Sequence, residues 1–210
     1  MHIYAFGSVC RGDISPGSDI DLLAIVEGYD SRFDPDNYSI YSYKRIQEIW
    51  KEGNPFAWHL SLEARILFSS DKSDFLSSLG GPALYRNCVR DCDKFFSLFR
   101  EARISLENNS TSKVFDLSMI FLSIRNIATC FSLGVLKRPD FSRHSALHLG
   151  DHSLRIPPKP FEILERSRIL CTRGHGSKII TDEAEIAFAQ FPQIGQWMVS
   201  LVMEAKRNAA

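Results

Sequence analysis

Two pairs of residues near the front of the chain have the types and spacing to do chemistry. Asp19 and Asp21 flank Ile20 at the start of an apolar run, 20–26, and Gly7-Ser8 follows an earlier run, 2–6. On a strand the side chains alternate, so the two carboxylates point to one face while Ile20 and Leu22 point to the other. Held that close, they repel unless a cation lies between them. A hard divalent ion with oxygen ligands is the usual partner, and Mg²⁺ takes one or two protein carboxylates together with phosphate oxygens. Such an ion stabilises the charge of a phosphoryl or nucleotidyl transfer, and a pair of ions also activates an attacking hydroxyl. Gly7 permits a tight turn and leaves Ser8 where backbone N–H and hydroxyl can both donate, an arrangement suited to the far phosphates.

The elements that must position these groups are the two apolar runs, whose length and β-branched content predict buried strands. Pro16-Gly17 marks a turn between them, because Pro fixes φ and Gly accepts the positive φ of a type II turn. The stretch between the runs is therefore expected to be a connector and not a helix. An acidic surface hairpin would explain neither the spacing nor the apolar flanks.

Phe6-Gly7-Ser8, a gap of about ten residues and then Asp19-Ile20-Asp21-Leu22 resembles the signature of the DNA polymerase β-like nucleotidyltransferase superfamily. Arg11-Gly12-Asp13 after the Gly-Ser pair and Ser18 before the aspartates are similar to the minimal and the aminoglycoside nucleotidyltransferases. The resemblance implies Asp19 and Asp21 as catalytic Mg²⁺ ligands, with two ions possible. Gly7 and Ser8 would cradle the β and γ phosphates of ATP or another NTP, and Arg11 and Ser18 would support the loop or contact phosphate. A hydroxyl of a small molecule, such as an aminoglycoside, or of a protein side chain would attack the α phosphate and release pyrophosphate.

The resemblance also implies a third acidic residue near the strand expected at 38–42. Asn37 aligns best, with Asp36 one step earlier; an Asn can ligate through its carbonyl but is no base at neutral pH. Asp36 would serve if a bulge re-aimed it. Glu63 and His59 are further options, each with an ordinary structural role as the plainer account. The resemblance implies a helix before the first strand, whereas here the strand begins at residue 2: either the helix is dispensed with, in which case a partner could supply the cover, or the sequence starts late. A catalytically weakened nucleotide- or partner-binding module of a toxin–antitoxin-like system is the alternative, as is, more remotely, a HEPN-type ribonuclease built on Arg143 and His148.

The remaining sequence sets the frame. Lys plus Arg and Asp plus Glu number 25 each in 210 residues, so no broad attraction to nucleic acid or an anionic membrane is expected. The start lacks the regions of a signal peptide and no uninterrupted apolar segment approaches membrane-spanning length, which predicts a cytoplasmic protein. Five cysteines without a compact framework suit free thiols in a reducing compartment. Residues 27–37 read as a loop and 43–51 as a helix stopped by Gly53-Asn54-Pro55. Residues 56–62 fit a half-buried strand or a helix start, and the pattern does not decide between them. Gly80-Gly81-Pro82 reads as a linker.

Beyond it the periodicity turns helical, at 83–106, 113–133, from Thr181 to a break at Pro192, and at 194–206. The expected fold class is α+β, a small mixed-sheet nucleotidyltransferase domain at 1–79 followed by an all-α helical bundle at 83–210. The acceptor would bind in the cleft between the domains, and a protein partner or homodimer is possible. Cys88 and Cys92 stand one helical turn apart, and His144, His148 and His152 recur every four residues. Neither set has the partners of a metal site.

Overall fold

The computed structural model describes residues 1–13, 20–108 and 111–209. The chain divides into two compact units, Met1–Arg86 and Asn87–Ala210.

The first unit is built on a four-stranded sheet in the order β3-β2-β1-β4. Strands β1 (His2–Phe6) and β2 (Asp21–Val26) are antiparallel, pairing Tyr4 with Leu23 and Phe6 with Asp21. β3 (Tyr38–Ser42) runs parallel to β2, and β4 (Arg65–Ser69) antiparallel to β1, with a bulge opposite Ile3 and Tyr4. Leu23 and Ile25 point to the face covered by helices α2 (Tyr43–Lys51) and α3 (Pro55–Glu63), where they pack with Tyr4, Phe6, Ile46, Ile49, Trp50 and Leu60. The opposite face carries Ala24 and Val26 with Phe33, and Met1, Ile3 and Tyr38 pack against it.

Full burial of a Leu or Ile side chain contributes roughly 1.5–3 kcal/mol. A one-residue slip of β2 would turn Leu23 and Ile25 outward, so the hydrophobic pattern fixes the register, and the same register fixes the face on which Asp21 stands.

Caps start the helices where the sequence changes character. The Ser42 side chain accepts from Arg45 N at 3.1 Å to open α2. Asn54 accepts from Phe56 N at 2.8 Å, with Pro55 in the first helical turn, to open α3. This cap resolves 56–62 as helix: Ala57 and Leu60 are buried while Leu62 is exposed. A one-turn helix, α4 (Phe75–Ser78), follows β4. The expected linker at 80–82 is fastened to the same unit, since the Trp50 indole donates to Gly80 O at 2.9 Å and Ala83 N donates to Trp50 O at 2.9 Å.

The second unit is helical. α5 (Cys88–Glu107) packs on α6 (Lys113–Gly134), and α6 also packs on α7 (Pro158–Arg173) and α9 (Phe191–Ala209), while α8 (Thr181–Phe188) lies against α7. α6 carries the fully buried Leu117, Ile120, Ile124, Ile127 and Phe131. By length and composition it would suffice to cross a membrane, contrary to the expectation from the sequence, but 67% of its apolar window is buried inside the protein. It is the central helix of the bundle. Two features differ from expectation at prolines: α7 is a helix that the sequence reading did not include, and the last helix begins before Pro192 and not after it. Pro158 opens α7 and Pro192 lies in the first turn of α9, positions where a missing N–H costs nothing.

Candidate active site

Where β1 ends, Gly7 takes φ 77° and ψ −149°, a conformation essentially reserved for glycine. The chain then makes a single helical turn, α1 (Ser8–Arg11), closed by Gly12 in the left-handed region. This corrects the expectation of a plain connector: two glycines with positive φ bracket a stretch just long enough for one turn. Asp13 N donates to Ser8 O at 2.9 Å and so ties the far side of the turn to its start.

Asp21 opens β2 directly opposite Phe6. A Cβ placed on Gly7 would lie 2.2 Å from Asp21 Oδ2 and 3.2 Å from its Cγ, so the carboxylate lies against the backbone of the turn. The two halves of the sequence pattern therefore meet. Ser8 follows at once, half-buried, at the first position of α1. Ser18 and Asp19 lie outside the described residues.

Arg11 is engaged within the protein. Its Nη1 donates to Glu63 Oε2, and its Nε donates to Asp13 Oδ2 at 2.9 Å. Burial alone would lower the guanidinium pKa, but these two carboxylates outweigh it and hold the group above its ordinary value. The same Glu63 oxygen meets His59 Nε2 at 2.9 Å, and the His59 ring stands edge-on to Phe6 with centroids 5.5 Å apart. His59 and Glu63 are one turn apart on α3, a relation that a strand over 56–62 would not give.

The candidates for a third acid fall into two places. Asn37 stands one step before the first β2–β3 pair, Leu22 with Tyr38, and so beside the start of β2. Its side-chain amide donates to Asp34 Oδ2 at 3.1 Å, and Asp36 N donates to Asp34 Oδ1 at 3.0 Å, so Asp34 organises that turn. Farther along β3, Ser39 and Tyr41 pair with Leu23 and Ile25 and share Asp21's face without offering a carboxylate. Glu63 lies beside α1 in the contacts just given.

Among the described residues, no group of three or more His, Cys, Asp and Glu side chains forms a metal cluster. A divalent ion nevertheless suits what is present: one carboxylate at the head of β2, held against a turn that only glycine can make, with a second acid two residues earlier in sequence.

Residues 2–79 match the family model described as nucleotidyltransferase domain. The N-terminal unit is a nucleotidyltransferase domain. It belongs with the polymerase β-like nucleotidyltransferases, which transfer an NMP group and typically use an NTP and divalent metal ions. No curated protein matches the chain.

In the helical unit Arg143 Nη1 donates to Glu165 Oε1 at 3.1 Å, whereas His148 Nδ1 meets Asp140 Oδ2 at 2.9 Å. The two residues of the HEPN-like spacing thus have different carboxylate partners. His144 meets Glu165 Oε2 at 3.2 Å, and the His152 ring lies 5.1 Å from that of Phe131, so the three histidines have separate surroundings. Cys88 and Cys92 are buried in α5, and Cys88 Sγ donates to Cys130 O at 3.4 Å.

Proposed function

We propose that this protein is a Mg²⁺-dependent nucleotidyltransferase that moves AMP from ATP to a hydroxyl of a small molecule or a protein side chain and releases pyrophosphate. The observation that carries the proposal is the contact between Gly7 and Asp21, which sets a glycine turn directly against a carboxylate. Asp21 and, from its place in the sequence, Asp19 would hold the ion, which supplies charge neutralisation at the phosphates when bound. The Gly7-Ser8 turn receives the β and γ phosphates, with the Ser8 hydroxyl as a donor. Arg11 supports the turn from behind through its carboxylate partners, and Ser18 precedes the ligand pair. The acceptor hydroxyl attacks the α phosphorus, the bond to the β-phosphate oxygen breaks, and the hydroxyl proton leaves to a base or to water.

Calorimetric titration of each Mg·NTP into the wild type and Asp21→Asn tests this. One NTP should bind, only with Mg²⁺, and its binding should be lost in the variant. Absence of binding by every NTP refutes it. A second reading, a weakened nucleotide- or partner-binding module, is favoured by β3, where Ser39 and Tyr41 share Asp21's face and Asn37 is engaged by Asp34. Mg·NTP binding without pyrophosphate release across small-molecule and protein acceptors would select that reading.

A further inference from the structure

Glu63 is poorly placed for the stability of its own helix. It is the last residue of α3, where a carboxylate faces the negative end of the helix dipole, and its side chain is only 11% exposed. A carboxylate so placed needs compensating donors. Among the described residues it has two, and both lead to the phosphate turn: Arg11 from α1, and His59, whose ring packs against Phe6 immediately before Gly7.

The turn needs an outside support as well. α1 has four residues, too few to be stable alone. Arg11 divides its guanidinium between two carboxylates, with Nη1 on Glu63 and Nε on Asp13, and thereby ties α1 both to α3 and to the chain leaving the turn. Glu63 is in turn fixed to the sheet: Ala64 follows in extended backbone and Arg65 pairs with Ala5 of β1.

We propose that Glu63 is a positioning residue for nucleotide binding. It acts through Arg11 to hold α1, and with it Ser8, in register with Asp21, and His59 fixes the orientation of the Glu63 carboxylate. The proposal rests on the reading of the N-terminal unit as an NTP-using transferase and assigns Glu63 a role other than that of a third metal-binding acid.

Two measurements test it. The first needs no nucleotide: hydrogen exchange of the amides of Arg11, Gly12 and Asp13, which donate to Gly7, Val9 and Ser8 carbonyls. Exchange there should rise at least about tenfold in Glu63→Ala and in Arg11→Ala. Glu63→Gln, which keeps an acceptor for Arg11, should lie between these and the wild type. Glu48→Ala, which removes an exposed ion pair with Arg45, should leave the segment unchanged. Unchanged exchange at 11–13 in Glu63→Ala overturns the proposal, and if that variant fails to fold, the same readout on Glu63→Gln and Arg11→Lys decides it.

The second measurement is Mg·NTP turnover or binding. Glu63→Ala and Arg11→Ala should each raise KM more than they lower kcat, and the double variant should be no worse than the poorer single one. Losses that multiply and fall on kcat would place Glu63 on the reacting groups and overturn the positioning role. If the wild type binds no NTP, the transferase reading fails while the exchange experiment still decides whether Glu63 positions the turn.

Discussion

Gly7→Ala separates the two reasons for a glycine at that position. At φ 77° and ψ −149° any L side chain is strained, at a cost of about 1–3 kcal/mol. For a unit of this size, each kcal/mol lowers the melting midpoint by roughly 4–8 °C. The steric conflict is of another kind. The new Cβ would lie 2.2 Å from Asp21 Oδ2, but that oxygen ends a side chain able to rotate, and the Asp21 Cβ is 3.5 Å away. Rotation of the carboxylate relieves the overlap at little cost in stability and moves the group to which the proposed function assigns the metal.

Gly7→Ala should therefore melt lower by the strain alone, and by nearly the same amount in an Asp21→Ala background, additive within about 0.5 kcal/mol. Its Mg·NTP affinity should fall by about tenfold or more, the effect of a displaced ligand. Thermal melts of the four proteins and calorimetry on Gly7→Ala and the wild type give both quantities. A midpoint within about 2 °C of wild type would refute the strained backbone. A full strain cost with unaltered Mg·NTP binding would refute the functional contact between the turn and Asp21.

Gly53→Ala should be more severe in stability. At φ 64° the added Cβ would meet Ala83 O at 2.4 Å and Leu84 O at 2.6 Å, both backbone atoms that cannot turn aside. A loss of roughly 2–4 kcal/mol in urea melts is expected, and less than about 0.5 kcal/mol would refute the contact. Asp140 predicts a pH dependence in the helical unit. Burial raises its pKa, but hydrogen bonds from Ser142 and His148 outweigh this and hold the carboxylate below its ordinary value. Its contribution is fully present above the unfolded value of about 4 and is lost as pH falls through the lower folded value. Asp140→Asn should thus be less stable than wild type near neutrality, by about 0.5–1.5 kcal/mol, with the gap closing below about pH 4 in urea melts.

What could be read before the structure follows from what each segment's pattern encodes. β1 and β2 are buried runs bounded by glycine and by charge, so their positions and the facing of Asp21 emerge from period-2 alternation. α2 was legible from the helical spacing of Ile46, Ile49 and Trp50, with Ser42 marking its junction with the half-exposed β3. The α3 segment was not, because Phe56, Trp58, Leu60 and Leu62 alternate like a strand, and only the Asn54-Pro55 start signals a helix. That ambiguity concealed the Glu63–His59 turn and with it the support of Arg11, a contact across 52 residues that no local pattern carries. In the second unit, Pro192 reads in the sequence as a helix break and instead lies in the first turn of α9. The same residue type stops a helix or starts one according to whether its N–H position had an acceptor to lose.

The strap at 80–84 bears on how the N-terminal unit could be isolated. The family match ends at residue 79, yet the Trp50 indole and carbonyl, the Trp58 indole and the close face of Gly53 all meet backbone between Gly80 and Leu84. A fragment cut at the family boundary would bare two tryptophan donors and an apolar helix end, and would invite aggregation and proteolysis. Extension to Arg86 retains those partners, so the unit that keeps its own contacts is longer than the matched segment.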